Sequence, residues 1–292
     1  KDKILMADTS TVTLKEDPSI FRIIYGNKGL MTGLVILAVL TLIALIGPIF
    51  TESPTSINPM VRIKPPSADM WFGTDPLGRD LFARAIWGGR ISLSVGVAVA
   101  IVAVGFGLLL GLLAGYIRVL DAIIMRVMDG LMAIPGILLA IALISLTGAS
   151  LFTVIVAITI PEIPRVVRLV RSVVLTVREE AYVEAAIAAG TKLPSIMIRH
   201  ILPNTIAPLI VQATYVCASA MLTESILGFL GAGIPPEIPS WGNIMSEGRT
   251  YFQLCPWIIF FPGVALGVTV MSVNIVGDGL RDTLDPRIAK KM

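Results

Sequence analysis

Charge is absent from this chain over stretches longer than a soluble fold tolerates. Gly29–Phe50, Ile91–Ile117, Ile201–Thr223 and Tyr251–Gly277 contain no Asp, Glu, Lys or Arg. A helix needs about 20 apolar residues to cross the hydrocarbon core. Each run is therefore long enough for one crossing and too short for two. The composition agrees: 55% of the 292 residues are hydrophobic and only 15% charged, against about 25% charged in a soluble domain. In lipid every backbone polar group must be satisfied within its own segment. The class that follows is an all-α integral membrane protein.

The middle of the chain needs more care. Gly130 to Pro161 is 32 uncharged residues, interrupted by a turn-like Thr147-Gly148-Ala149-Ser150. That is too long for one span and short of two, so two helices must each extend into charged sequence. The reading is six transmembrane helices over 29–50, 91–117, 123–146, 151–172, 204–224 and 254–277. They are separated by external loops 51–90 and 225–250 and by a cytoplasmic segment 178–203. A polar segment 1–28 precedes them and a tail 278–292 follows. The first apolar run exceeds the roughly 7–15 residues of a signal-peptide core, so it is expected to remain as an anchor.

Lysine and arginine set the expected orientation. With the N-terminus inside, seventeen of the 23 basic residues fall on inner segments and six on outer loops, which favours both termini in the cytoplasm. Five of the six lie in the first outer loop: Arg62, Lys64, Arg79, Arg84 and Arg90. The net charge of +3 is too small and dispersed for nucleic-acid binding. Two cysteines, Cys217 and Cys255, and the single histidine, His200, have no metal-ligand spacing. They read as two buried thiols or one disulfide. Gly107, Gly111 and Gly115 form a stripe at spacing four, which lets another helix approach closely in lipid.

The segment between the fourth and fifth spans is the most informative. Arg178-Glu-Glu-Ala-Tyr-Val-Glu184-Ala185-Ala186-Ile-Ala-Ala-Gly190 reads as a short helix rich in alanine, the best helix former. Glu179 and Glu180 sit near its start, where the dipole favours acids. Gly190 stands just past its end, where a left-handed backbone is needed. Pro194 suits the first turn of a second short helix. Such a small-residue surface suits insertion into a groove on another protein.

This pattern resembles the coupling ("EAA") loop of ABC importer permeases: Glu-Ala-Ala, three residues, Gly, nine residues, an apolar residue, one more, then Leu-Pro. The matching positions are Glu184, Ala185, Ala186, Gly190, Leu202 and Pro203. His200 replaces the usual isoleucine, and Arg-His-x-Leu-Pro-Asn looks like the variant of the peptide-importer group. Three further stretches are similar to the same group: Phe72-Gly-Thr-Asp75-Pro-Leu-Gly78-Arg79-Asp80; Glu224-Ser-Ile-Leu-Gly-Phe-Leu-Gly231 with Pro235-Pro236 and Pro239-Ser-Trp241-Gly242; and Gly277-Asp278-Gly279-Leu280-Arg281-Asp282 with Leu284-Asp285-Pro286. Together they resemble the "C" permease of dipeptide and oligopeptide importers.

The resemblance implies a type I ABC importer permease fold in a bacterial plasma (inner) membrane. It implies a homologous second permease, two ATP-binding subunits that carry ATP and Mg, and an extracytoplasmic solute-binding protein as partners. No cofactor is expected on this chain, and it is not expected to be an enzyme. Indeed no Gly-x4-Gly-Lys-Ser/Thr phosphate loop is present. A membrane-embedded enzyme would need a nucleophile–base pair or metal ligands, for which one histidine is poor provision. A secondary transporter often shows inverted repeats, and no convincing repeat is visible. The same subunit pattern serves importers of dipeptides, longer peptides, glutathione, nickel complexes and oligosaccharides.

Two acids are candidate pathway residues, Glu162 and Glu224. If the fourth helix starts near Leu151, Glu162 lies about 16 Å along it, near the middle of a core roughly 30 Å thick. It either pairs with Arg165 one turn away or lines a translocation path, with Pro161 and Pro164 loosening the helix around it.

Overall fold

The computed structural model describes residues 27–284, which form helices and their connections with no strand among them. In chain order these are α1 (Lys28–Phe50), a short 3-10 turn (Pro59–Val61), α2 (Leu81–Tyr116), α3 (Arg118–Met132), α4 (Gly136–Thr147) and α5 (Leu151–Val177). Then come α6 (Ala181–Ala188), α7 (Leu193–Ile196), a π turn (Met197–Ile201), α8 (Leu202–Phe229), α9 (Trp241–Thr250) and α10 (Trp257–Leu284). The expected segment 1–28 lies almost wholly outside the described residues, as does the tail beyond Leu284.

Several boundaries differ from expectation, each for a local reason. α2 starts at Leu81 rather than Ile91, because the Asp80 carboxylate accepts the backbone N–H groups of Phe82 and Ala83 at 3.0 and 3.3 Å and so caps the helix. The expected outer loop 51–90 is therefore shorter and ends at Asp80. α5 starts at Leu151 behind a reciprocal Ser150–Thr153 capping box and continues to Val177 through Pro161 and Pro164. α8 overruns the expected 204–224 by five residues and stops where Gly231 takes φ +81°. α10 begins at Trp257 and stays helical to Leu284, so the start of the expected tail at 278 belongs to the last helix.

The largest correction concerns 123–146, expected as one span. It is two helices, α3 and α4, bent by 88°. Pro135 supplies no N–H and disfavours a helical residue before it, so the chain breaks at Ala133–Pro135. The pair nevertheless crosses once. Its contacts with α5 run in reverse order, Asp121 with Arg171, Asp129 with Arg168 and Gly136 beside Pro161. The bent pair therefore climbs α5 from its C-terminal towards its N-terminal end. Four helical stretches are long and apolar enough to cross a membrane, and the bent pair makes a fifth. α5, of 27 residues, is long enough for a sixth but carries Glu162, Arg165, Arg168 and Arg171 and is not among these apolar stretches.

α2 and α5 run parallel along the glycine stripe. Gly107 faces Val166, Gly111 faces Val170 and Gly115 faces Val174, and all three valines are buried. A Cβ on Gly111 or Gly115 would sit 2.6 or 2.5 Å from a valine Cβ. Only glycine permits this approach. α8 packs antiparallel to α2, with Gly96 against Met221 and Ser92 against Glu224. α10 packs antiparallel to α1, with Gly33 against Ile275 and Gly279 against Leu30. Lys28, Leu284 and the α6–α7 segment thus share one end of the bundle, called here the base. The connections 51–80 and 230–256 share the opposite end. Both cysteines are free thiols.

Candidate functional site

The base carries the segment that the sequence singles out. α6 ends in a Schellman arrangement: the N–H of Thr191 reaches the Ala186 carbonyl at 3.1 Å and that of Gly190 reaches Ile187 at 2.9 Å. Gly190 sits at φ +77°, the left-handed region in which a Cβ is penalised. Nothing lies within 4 Å of the place where its Cβ would stand, so backbone conformation alone selects glycine. Val183, Ile196 and Ile201 are buried in the main core with Val177, and these plug the segment into the bundle. Glu184, Ala185, Ala188 and Ala189 are exposed and Ala186 partly so. The anchored side is apolar, and the free side sets Ala181, Ala185 and Ala188 beside Tyr182, Glu184 and Ile187.

The remaining motif residues fix this segment to α8. Asn204 Nδ2 donates to the Tyr182 hydroxyl at 3.1 Å and to the His200 carbonyl at 2.7 Å. The His200 ring lies 6.2 Å from that of Tyr182. Leu202 and Pro203 open α8 directly behind a π turn. The structure thus gathers Glu184, Ala185, Ala186, Gly190, His200, Leu202 and Pro203 into one body at the base, braced through Tyr182 and Asn204.

The outward faces of the bundle divide by polarity. α1 exposes Val35, Val39, Leu42, Ile46 and Ile49, and α2 exposes Val97, Ile101 and Leu109, as lipid contact requires. α5, α8 and α10 differ towards the base. There Arg165, Arg168 and Ser172 of α5, Asn204 of α8, and Asn274, Asp278 and Arg281 of α10 are exposed. Of these, Arg165 stands well inside its helix, and a charge at such depth ordinarily faces a bundle interior or a water-filled cavity. The signal in the sequence was charge inside otherwise apolar spans. Their common face was not readable there, because it depends on how three distant helices turn toward one another.

The two candidate acids are held separately. Glu162 is 7% exposed; its Oε1 accepts the Ser219 hydroxyl at 2.9 Å. Its Oε2 stands 3.6 Å from Arg165 Nη1, an ion pair too long for a hydrogen bond. The pairing with Arg165 is present, and Arg165 is the member that reaches the polar face. Glu224 is fully buried. Its Oε2 accepts the Ser92 hydroxyl at 2.9 Å, and Ser92 Oγ in turn accepts the Trp241 backbone N–H at 3.3 Å. Glu224 therefore stitches α8 to α2 and α9 rather than bordering open space.

At the end opposite the base, a four-charge network explains the Asp-Pro-Leu-Gly-Arg-Asp stretch. The Asp75 carboxylate accepts the backbone N–H groups of Leu77 and Arg79 at 2.8 and 2.9 Å. It also accepts Arg79 Nε at 2.5 Å and Arg84 Nη1 at 2.6 Å. Glu247 of α9 closes the ring, accepting Arg79 Nη2 at 2.5 Å and Arg84 Nη1 and Nη2 at 2.6 and 2.9 Å. Gly78, at φ +75°, has a Cβ position overlapping the Asn58 carbonyl. Three members are close together in sequence. Glu247 lies 163 residues beyond Arg84 and gave no signal.

A parallel α2–α5 pair locked through glycine, a bent third crossing and a braced helical segment at the base define a multi-pass membrane protein with the fold of type I importer permeases. The fold is shared with the methionine ABC transporter MetNI in its inward-facing conformation: TM-score 0.53, 22% identity, over 66% of this chain and 95% of that one. Residues 106–290 match the family described as binding-protein-dependent transport system inner membrane component. Residues 19–66 match the N-terminal TM domain of oligopeptide transport permease C. The chain belongs to this family of ABC importer permease subunits.

Among curated relatives, a protein of Sinorhizobium fredii named "Probable peptide ABC transporter permease protein" is 54% identical over 94% of both chains. The dipeptide transport system permease of Alkalihalophilus pseudofirmus is 44% identical over 92% of this chain and 89% of its own. The oligopeptide transport system permease of Bacillus subtilis is 39% identical over 91% and 88%.

Proposed function

We propose that this chain forms half of the translocation pathway of an ATP-driven importer of dipeptides and oligopeptides. The observation that carries the reading is the pairing of two features at one end of the bundle: the braced, solvent-facing α6 and a polar face made by α5, α8 and α10. α6 docks in a groove on one of two ATP-binding subunits, which carry ATP and Mg. A homologous second permease covers the polar face, and a solute-binding protein delivers substrate at the opposite end. The excess of lysine and arginine supports an orientation with the base in the cytoplasm. Nucleotide then acts by stabilising one arrangement of the two permeases over the other. The peptide assignment is supported by the names of the relatives and by the Arg-His-x-Leu-Pro-Asn form of the segment.

Reconstitution tests this reading. The chain alone should hydrolyse no ATP above background. With the second permease, both ATPase subunits and the binding protein, ATP-dependent uptake of labelled dipeptide should appear. Turnover by the isolated chain, or nucleotide-independent uptake driven by an ion gradient, would overturn it.

Gly190 tests the coupling segment itself. A β-branched side chain at φ +77° is strained by more than the roughly 1–2 kcal/mol typical of left-handed residues, whereas asparagine tolerates that region. Gly190→Val should lower uptake about tenfold or more, the equivalent of ~1.4 kcal/mol, with the protein still inserted. Gly190→Asn should keep most of it. Equal uptake by the two variants would show that the turn is not required.

A further inference from the structure

A groove of about 660 Å³ opens at the base, on the polar face, bordered by Leu169 of α5, Pro203, Asn204 and Gln212 of α8, and Arg281 and Leu284 of α10. Its size falls within the ~300–1,000 Å³ of small-molecule sites, which join an apolar lining to a few convergent polar groups. Three such groups have unused hydrogen-bonding capacity among the described residues. Arg281 forms no ion pair among the described residues. Gln212 makes no side-chain hydrogen bond there, and Asn204 spends only its Nδ2, on Tyr182 and His200. The site thus offers a guanidinium fork, a carboxamide that both donates and accepts, and a free Oδ1 acceptor. Leucine, proline, alanine and valine supply the rest of the wall.

We propose that this groove binds the carboxyl end of the transported peptide as it leaves the pathway. A guanidinium engages a carboxylate through two parallel N–H···O bonds, which assigns the terminal carboxylate to Arg281. The neighbouring peptide unit needs one donor and one acceptor, which Gln212 provides, and Asn204 Oδ1 accepts an N–H. The apolar wall leaves side-chain identity open, as a carrier of varied peptides requires. Asn204 also braces α6 through Tyr182, so the exit site and the coupling segment share a residue. This inference rests on the importer reading above and adds to it a place and a chemical group.

The test uses the full importer in phosphatidylcholine nanodiscs, with Cys217→Ser and Cys255→Ser in this chain and Ala207→Cys, in the apolar wall of the groove, as the reporter. Dialanine should slow maleimide labelling of that cysteine about tenfold, and dialanine amide, which lacks the carboxylate, should not. Arg281→Gln should abolish the protection and Arg281→Lys should retain part of it. If Arg281→Gln fails to assemble, the comparison of dialanine with its amide on the Arg281 protein still decides. Equal protection by the two ligands, or none by either, overturns the site. Labelling that slows in anionic lipid and ignores dialanine also overturns it, by assigning the groove to a lipid headgroup. ATP-dependent dialanine uptake, measured in parallel before the cysteine changes, reports on the importer reading separately.

Discussion

Arg84→Met is expected to remove most of the folded protein from the membrane. Arg84 is 1% exposed and its guanidinium spans two acids, Asp75 at 2.6 Å and Glu247 at 2.6 and 2.9 Å. Methionine fills similar volume and leaves Arg79 alone against two carboxylates, one of them fully buried. Removing one partner from a buried ion network costs about 3–5 kcal/mol, because the remaining charge is neither solvated nor paired. That is a large part of the ~5–15 kcal/mol by which proteins are ordinarily stable. Arg168→Met is the contrast: its pair with Asp129 is as short, at 2.6 Å, but the side chains are 45% and 57% exposed. Pairs of that kind contribute up to ~1 kcal/mol. Thermal unfolding in detergent and the yield of monodisperse protein should separate the two. Equal melting of Arg84→Met and wild type would show that the network is dispensable. Arg84→Lys should recover only part, since an ammonium cannot span both carboxylates as a fork does.

The second large effect belongs to the glycine stripe. Gly111→Leu should drive α2 off α5, because even the first carbon of the new side chain meets Val170 Cβ at 2.6 Å and the Val167 carbonyl at 3.0 Å. Both partners are part of the same rigid helix, so no rotamer relieves the clash. Overpacking typically costs ~1–3 kcal/mol, and here it must also part the Gly107 and Gly115 contacts above and below. Gly105→Leu, on the same helix, should be harmless or mildly stabilising. Nothing lies within 4 Å of its Cβ position, it faces outward, and leucine is a better helix former than glycine, by somewhat less than the roughly 0.8–1 kcal/mol that separates glycine from alanine. Limited proteolysis and thermal unfolding of the two variants give the comparison. A Gly111→Leu protein as stable as Gly105→Leu would mean that the two helices do not meet along this stripe.

The crossings were legible because lipid imposes a one-dimensional rule. A residue run either lacks charge for long enough or does not, so α1, α2, α8 and α10 were found with only their ends misplaced. Those ends moved for reasons that water-facing chemistry supplies. Asp80 as an N-cap started α2 early, and a soluble-looking stretch, Asp278 to Leu284, remained helical because α10 continues past its apolar part. The two short helices at the base were equally legible, since alanine content, Gly190 and Pro194 act on the backbone within a few residues of themselves. The bend at Pro135 had a local signal too. The uncharged run nevertheless continues past it, and hydropathy measures burial in lipid and is blind to direction.

What local sequence left open was every relation between distant segments. Three glycines at spacing four announce a close approach but name no partner. Val166, Val170 and Val174 became that partner only when α3 and α4 had carried the chain back to make α5 parallel to α2. Asp75, Arg79 and Arg84 read as ordinary loop charges until Glu247 arrived from the far end of the chain to neutralise them. Glu162 and Glu224 looked alike as acids among apolar residues, yet packing gave one a cation and a hydroxyl and the other a hydroxyl deep beneath α9. Residue type sets which groups must avoid lipid or find a partner. Which partner they find is decided by the helix pairing, because the interactions that satisfy them act over a few ångströms while the residues stand tens to hundreds of positions apart.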